Sequence, residues 1–143
     1  MKKKHLLFFV SLVLFFSITS CKKMIDDIKE QTITNAITDG IWYVSKFVEG
    51  GTNSTSSFTG WEAKYLSDGT FTCSKAGETT ATGTWVGNAS DWTFTITFTN
   101  TPTSPVEKLG GKWTVTRAVS TDKGSYAKTE GGVTYELEMT KKP

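Results

Sequence analysis

Histidine, cysteine, arginine and proline are scarce in this chain: His5, Cys21, Cys73, Arg117, Pro102, Pro105 and Pro143 are all there are. With His5 at the extreme N-terminus, the remainder has no Ser-His or Cys-His pair for nucleophilic catalysis and no histidine to hold a metal. Glycine-rich phosphate loops and calcium-loop spacings are missing too. The expectation is a protein that is not an enzyme and carries no cofactor or metal. The acidic residues leave that expectation in place. Asp68, Asp91 and Asp122 fall in turn-like stretches, where Asp is favoured for backbone reasons. Glu136 and Glu138 alternate onto the polar side of a strand-like segment, where they imitate a carboxylate pair only in spacing. Asn53-Ser54-Thr55 and Asn88-Ala89-Ser90 match the glycosylation acceptor pattern, which chance supplies in stretches so rich in Ser and Thr.

Long apolar runs are equally rare. Leu6 to Ile18 is such a run, thirteen residues interrupted by Ser11 and Ser17 and preceded by Lys2, Lys3 and Lys4. A permanent membrane helix needs about 20 residues, so a basic start and a short apolar stretch read as a removable signal peptide. Ile18-Thr19-Ser20-Cys21 resembles the lipobox of bacterial lipoproteins. By that resemblance the chain is cut before Cys21, whose sulfur carries diacylglycerol and whose amine is acylated. Such chains exceed the two-signal threshold for stable attachment, at about 0.8 kcal/mol per buried methylene. The expected organisation is residues 1–20 as lipoprotein signal peptide, 21–38 as acylated cysteine, tether and short helix, and 39–143 as one domain. The expected location is the cell envelope, lipid-anchored at a periplasmic or outer-membrane face.

Removing the leader changes the charge. Lys2, Lys3 and Lys4 leave with it, so thirteen basic residues face fourteen acidic ones, a net charge of about −1. Nothing electrostatic favours nucleic acid. Cys73 is then left without an internal partner and reads as a small buried hydrophobe. Within the tether, Met24, Ile25 and Ile28 recur at helical spacing, which fits either one or two helical turns or a frayed linker.

From Ile41 onward the pattern is that of strands: Ile41–Glu49, Phe58–Leu66, Phe71–Lys75, Thr80–Val86, Trp92–Thr99, Lys112–Val119, Ser125–Thr129 and Val133–Thr140. Asp68-Gly69 between two of them is a strong hairpin signal. Trp92, Phe94, Ile96 and Phe98 alternate with Thr93, Thr95, Thr97 and Thr99, placing four large apolar groups on one face. Longer loops are expected over 50–57 and 100–111. Closing such a meander removes its edges, and eight strands enclose an interior that side chains fill or that holds one small ligand. The expected fold is therefore all-β, an eight-stranded antiparallel up-and-down barrel, preferred over an immunoglobulin-like sandwich because most connections are short turns.

Gly40-Ile41-Trp42 matches the G-x-W that opens lipocalins, where the tryptophan closes the barrel floor. With Gly60-Trp61, Tyr65 to Phe71, Gly83-Thr84-Trp85 and Trp113-Thr114-Val115, the chain resembles the small lipocalin-like lipoproteins of Gram-negative gut bacteria. The resemblance covers residues 39–143 and implies a lipocalin-like barrel with Trp42 as its floor. True lipocalins place a basic residue on the last strand over that tryptophan; here the last strand has none before Lys141.

Arg117 falls in phase with Trp113, Val115 and Val119. On that apolar face its charge needs a partner. Two roles fit: a cation–π cover over a tryptophan such as Trp42, or an anchor for a ligand carboxylate. Trp61, Tyr65, Trp113 and Tyr135 are the companion candidates for a ligand site. Two functional classes follow: a carrier of a small apolar or amphipathic molecule in the barrel mouth, or an accessory subunit or inhibitor whose filled barrel presents loops to another envelope protein. Interior volume decides between them, because many aromatic residues pointing inward leave no room for a ligand.

Overall fold

The computed structural model describes residue 31, residues 34–117 and residues 120–143. The signal peptide, Cys21, the Met24–Ile28 stretch and Val119 lie outside the described residues. A helical segment over 34–38 leads into nine strands: β1 (Trp42–Glu49), β2 (Thr52–Asn53), β3 (Glu62–Tyr65), β4 (Thr70–Ser74), β5 (Ala81–Asn88), β6 (Thr93–Phe98), β7 (Gly111–Arg117), β8 (Lys123–Glu130) and β9 (Val133–Lys141). From β3 to β9 each strand pairs antiparallel with its sequence neighbour. β9 then returns to β1, from Trp42↔Lys141 to Glu49↔Tyr135. The sheet is thereby closed into the expected eight-stranded lipocalin-like barrel, with β2 an added two-residue ladder on the end of β1.

The antiparallel order gives the barrel two distinct ends. The entry end holds residues 34–41, the β3–β4, β5–β6 and β7–β8 connections and the C-terminus. The far end holds the connections over 50–61, 75–80, 99–110 and 131–132. The Asp68-Gly69 hairpin forms as expected: Gly69 N–H donates to Leu66 C=O at 3.0 Å and the Asp68 carboxylate accepts Thr70 N–H at 2.9 Å. Gly83 sits where β5 crosses β6 so closely that a Cβ would lie 2.3 Å from the Thr97 carbonyl oxygen. Only glycine fits that approach.

Period-two alternation fills the interior. Trp42, Phe47, Phe71, Trp113 and Leu137 are at most 1 % exposed, and Tyr65, Ile96 and Met139 are equally enclosed at 2 %. Tyr65 meets Phe71, Phe94 and Trp85 with ring centroids 5.1, 5.5 and 5.8 Å apart, the offset and edge-on range in which aromatic pairs attract. Its hydroxyl lies 3.2 Å from Met139 Sδ. Cys73 is buried, and burial pushes its thiol up to about 12.

Three expectations are corrected. Phe58 does not begin a strand: it closes a 3-10 turn (Thr55–Phe58) and packs on Phe47 at 4.8 Å, while β3 starts at Glu62. Trp92 does not join Phe94 and Ile96 in the core: its backbone turns at φ 52°, before β6 begins, and the residue stays 45 % exposed. The stretch 100–111 is no mere loop, because a second 3-10 turn (Val106–Leu109) buries Val106 and Leu109 completely.

Candidate functional site: a stoppered interior and an open wall

Both ends of the barrel are closed by the same device, an indole that fills space with its ring and fixes a crossing segment with its N–H. At the entry end Trp42 Nε1 donates to Ile37 C=O at 2.8 Å, tying the 34–38 segment across the opening. Trp42, the residue to which the resemblance gave the floor role, is 1 % exposed here. Gly40 adopts φ +97° just before it, and a Cβ there would meet the Lys141 stem at 2.5 Å. Lys141 continues to Asp39, 2.6 Å away, so the last strand does lay a basic stem beside the G-x-W turn.

At the far end Trp113 Nε1 donates to Leu109 C=O at 2.8 Å and holds the second 3-10 turn in the mouth. Lys128 completes this closure. Its ammonium donates to Gly110 C=O at 2.6 Å, lies 3.1 Å from Glu130, and sits 4.8 and 5.1 Å from the ring centroids of Trp113 and Tyr135. With its side chain only 6 % exposed, Lys128 is the buried charge among the described residues, and carbonyl, carboxylate and two π faces offset its desolvation. Nearby, Lys108 and Glu49 pair at 2.5 Å. Hydrogen bonding to Lys108 holds the Glu49 carboxyl below its ordinary range.

Lys128 takes the place expected of Arg117. The β7–β8 register shifts between Val115 and Arg117, and this irregularity turns the arginine out of phase with Trp113. Arg117 is exposed, at the entry end, and covers no tryptophan. Lys128 was legible in principle, since it continues the inward series of Gly124 and Tyr126, but a lysine in phase with a core is ordinarily read as an edge residue.

The five residues expected to share a ligand site are thus dispersed. Tyr65 is in mid-core, Trp113 and Tyr135 belong to the far-end closure, Arg117 lies outside at the other end, and Trp61 is part of the wall. What the fold offers instead is a cleft of about 650 Å³ in the wall between β1 and β3. These two strands pair only at Trp42↔Ala63, because the chain leaves β1 for the 50–61 excursion and rejoins the sheet late. Val44, Phe58 and Trp61 form the apolar floor, while Tyr43, Ser45, Thr55 and Thr59 bring hydroxyls to the rim and Glu62–Lys142, paired at 2.5 Å, adds an ion pair to the lining. Thr55 Oγ1 accepts Phe47 N–H at 2.8 Å, and Ser54 N–H donates to Phe47 C=O at 2.9 Å, so the excursion satisfies part of the β1 edge that β3 leaves open. A second concavity, 270 Å³, lies on the outer face beside Arg117, Lys123 and Glu138. Among the described residues no group of three metal-ligating side chains comes together.

No family model and no curated protein matches the chain. Among solved structures it is similar to a DUF4847 family protein from Bacteroides vulgatus, at 19% identity and a TM-score of 0.56, over 78% of this chain and 99% of that one. The likeness is one of fold. It extends over essentially the whole of the neighbour, and at this identity it carries nothing about activity.

Proposed function

We propose that this chain is a lipid-anchored bacterial envelope protein whose barrel is an interaction module rather than a carrier. The observation behind this reading is the filled interior. Rings and aliphatic side chains occupy the barrel axis, an indole-held segment stops each end, and the roomy concavity opens sideways through the wall. A carrier would need several hundred cubic ångströms inside. The anchor half of the reading rests on the apolar run Leu6–Ile18 followed by the lipobox-like Ile18–Cys21, and the lipoprotein resemblance of the G-x-W series supports it. The partner is another envelope protein, met through the wall cleft and the far-end loops. Between Trp42, which pairs with β3, and Phe47, whose N–H and C=O are taken by Thr55 and Ser54, the edge of β1 has no strand beside it, a short opening suited to an extended segment of a partner chain.

Two measurements test this. Metabolic labelling with an alkyne fatty acid should mark the wild type and not Cys21→Ala; equal labelling of both refutes the anchor. A photo-crosslinking side chain at Thr59 should give one discrete protein adduct in cells, and the same group at Thr114, exposed in the middle of β7 and outside both the cleft and the far-end loops, should not. A rise in Tm with fatty acids or phospholipids, without any such adduct, would return the protein to the carrier class.

A further inference from the structure

The large apolar side chains that remain exposed are confined to one half of the barrel. Ile41 and Tyr43 open β1, Leu66 begins the β3–β4 turn, Val86 lies two residues before the end of β5, and Trp92 ends the β5–β6 turn, at 36, 39, 38, 65 and 45 % exposure. All five belong to the entry end or the adjoining wall, and no exposed large apolar residue is recorded at the far end among the described residues. Scattered exposed apolar residues are ordinary, but a one-ended distribution is not. Trp92 is the most informative of them. A non-glycine residue at φ 52° is uncommon, and here that backbone keeps an indole out of a core built from the same alternating strand. Beneath it, Ile37, Val115 and Tyr126 leave a gap of only about 10 Å³, so the ring has no pocket to fall back into.

Charges at this end are of both signs. Arg117 and Lys123 form no ion pair among the described residues, and Asp68, Asp91 and Asp122 stand in the neighbouring turns. This mixture suits phosphate and amine together, as on a zwitterionic headgroup layer, and gives no preference for an anionic one. Indoles concentrate at that layer because the ring is apolar and its N–H is not. The chain also enters the barrel here, so the sequence leading back to Cys21 leaves from this end. From residue 34 the cysteine is thirteen residues away, a reach of at most about 45 Å.

We infer that the entry end is a membrane-docking face, on which Trp92, Leu66 and Ile41 meet the interface of a zwitterionic bilayer while the far-end loops point away from it. The inference rests on the anchor reading for its geometry. It concerns a separate contact.

The protein supplies its own probe, since Trp42, Trp61, Trp85 and Trp113 are at most 5 % exposed and Trp92 is the accessible fluorophore. Full-length protein from a host that processes lipoproteins is reconstituted into vesicles of phosphatidylcholine with dibrominated acyl chains. Tryptophan emission should be quenched relative to unbrominated vesicles, and Trp92→Phe should lose most of that quenching. In a Trp92→Phe background, Thr79→Trp places the probe at the far end and should restore none of it. Equal quenching with and without Trp92, or quenching from Thr79→Trp alone, overturns the docking face. So does a Trp92 that acrylamide reaches as readily in vesicles as in detergent. Trp92 shielded from both bromine and acrylamide assigns the face to a protein contact and overturns it as well. Intact mass reports acylation independently: an unacylated protein refutes the anchor, and the quenching comparison with the same vesicles still decides the face.

Discussion

The two barrel ends use one chemistry in unlike settings. Trp42 and Trp113 are both fully enclosed, and each indole N–H donates to a carbonyl at 2.8 Å. At the far end that carbonyl belongs to a connection between two paired strands, and Lys128 binds the next residue's carbonyl as well. At the entry end it belongs to Ile37, in a segment that precedes the sheet and, among the described residues, is joined to it on its C-terminal side only. A stopper fixed at both ends shares the cooperativity of the sheet. A stopper fixed at one end detaches at a lower free energy, as terminal segments do. The contrast is one of connectivity, since the contacts themselves match.

Breaking the comparison starts with the indoles. Trp113→Ala should destabilise the fold by about 3–5 kcal/mol, the range for truncating a packed aromatic, measured by urea denaturation. Trp42→Ala should fall at or below the lower end of that range, because the 34–38 segment releases instead of collapsing into the cavity. Equal losses would mean that the entry stopper is as integral as the far one. Hydrogen exchange sharpens the same point: amides over 34–38 should exchange well before those of β9, and simultaneous exchange would contradict it.

A smaller effect is expected from the buried ammonium. Lys128→Met keeps the aliphatic stem between Trp113 and Tyr135 but leaves Gly110 C=O without its donor, a loss of about 1–3 kcal/mol in the same denaturation assay. No loss, or a gain, would mean that desolvating the charge cancels everything it contacts.

The Lys108–Glu49 pair at the far end has a pH signature. Glu49 is held below its usual value, so its contribution is present above the ordinary carboxylate pKa and disappears as acid carries the pH through the lowered one. Lys108 is raised by the same partner, so its share persists to high pH and is lost only above the ordinary lysine value. Glu49→Gln should therefore flatten the acid limb of the stability profile below about pH 4.5. The flattening comes from a lower neutral plateau, and the drop is small because both side chains are substantially exposed.

Least of all is expected from Arg117. On an exposed strand end its replacement by Met should change stability by less than about 0.5 kcal/mol. A loss of 2 kcal/mol would put the arginine back on a tryptophan.

Where strand patterns and structure part, the cause is a local irregularity that a period of two does not report. Phe94 and Ile96 follow the alternation into the core, while Trp92, two residues earlier on the same pattern, is turned out by one positive φ. Trp113 and Val115 follow theirs, while Arg117 is turned out by one register shift. A single-residue slip reverses every side chain beyond it, so the errors fall at strand ends and land on the very residues that seemed most distinctive.

The wall cleft was illegible for a different reason. Tyr43, Thr55 and Trp61 are separated in sequence by ordinary spacings, and they become neighbours only because β1 and β3 share a single residue pair.

By itself the sequence determined the class of the fold, its eight strands and their order, because alternation and turn chemistry are local properties that each segment carries alone. Its G-x-W motif singled out Trp42, which is buried at the start of β1, and its alternation singled out Cys73, which is buried in β4, for the same local reason. Tertiary structure alone decided whether the barrel is hollow. The volume left inside depends on how far eight strands stagger, on which connections fold back into the mouths, and on which cation, Lys128 or Arg117, faces inward. Those are relations between segments distant in the chain, fixed only when the sheet closes on itself.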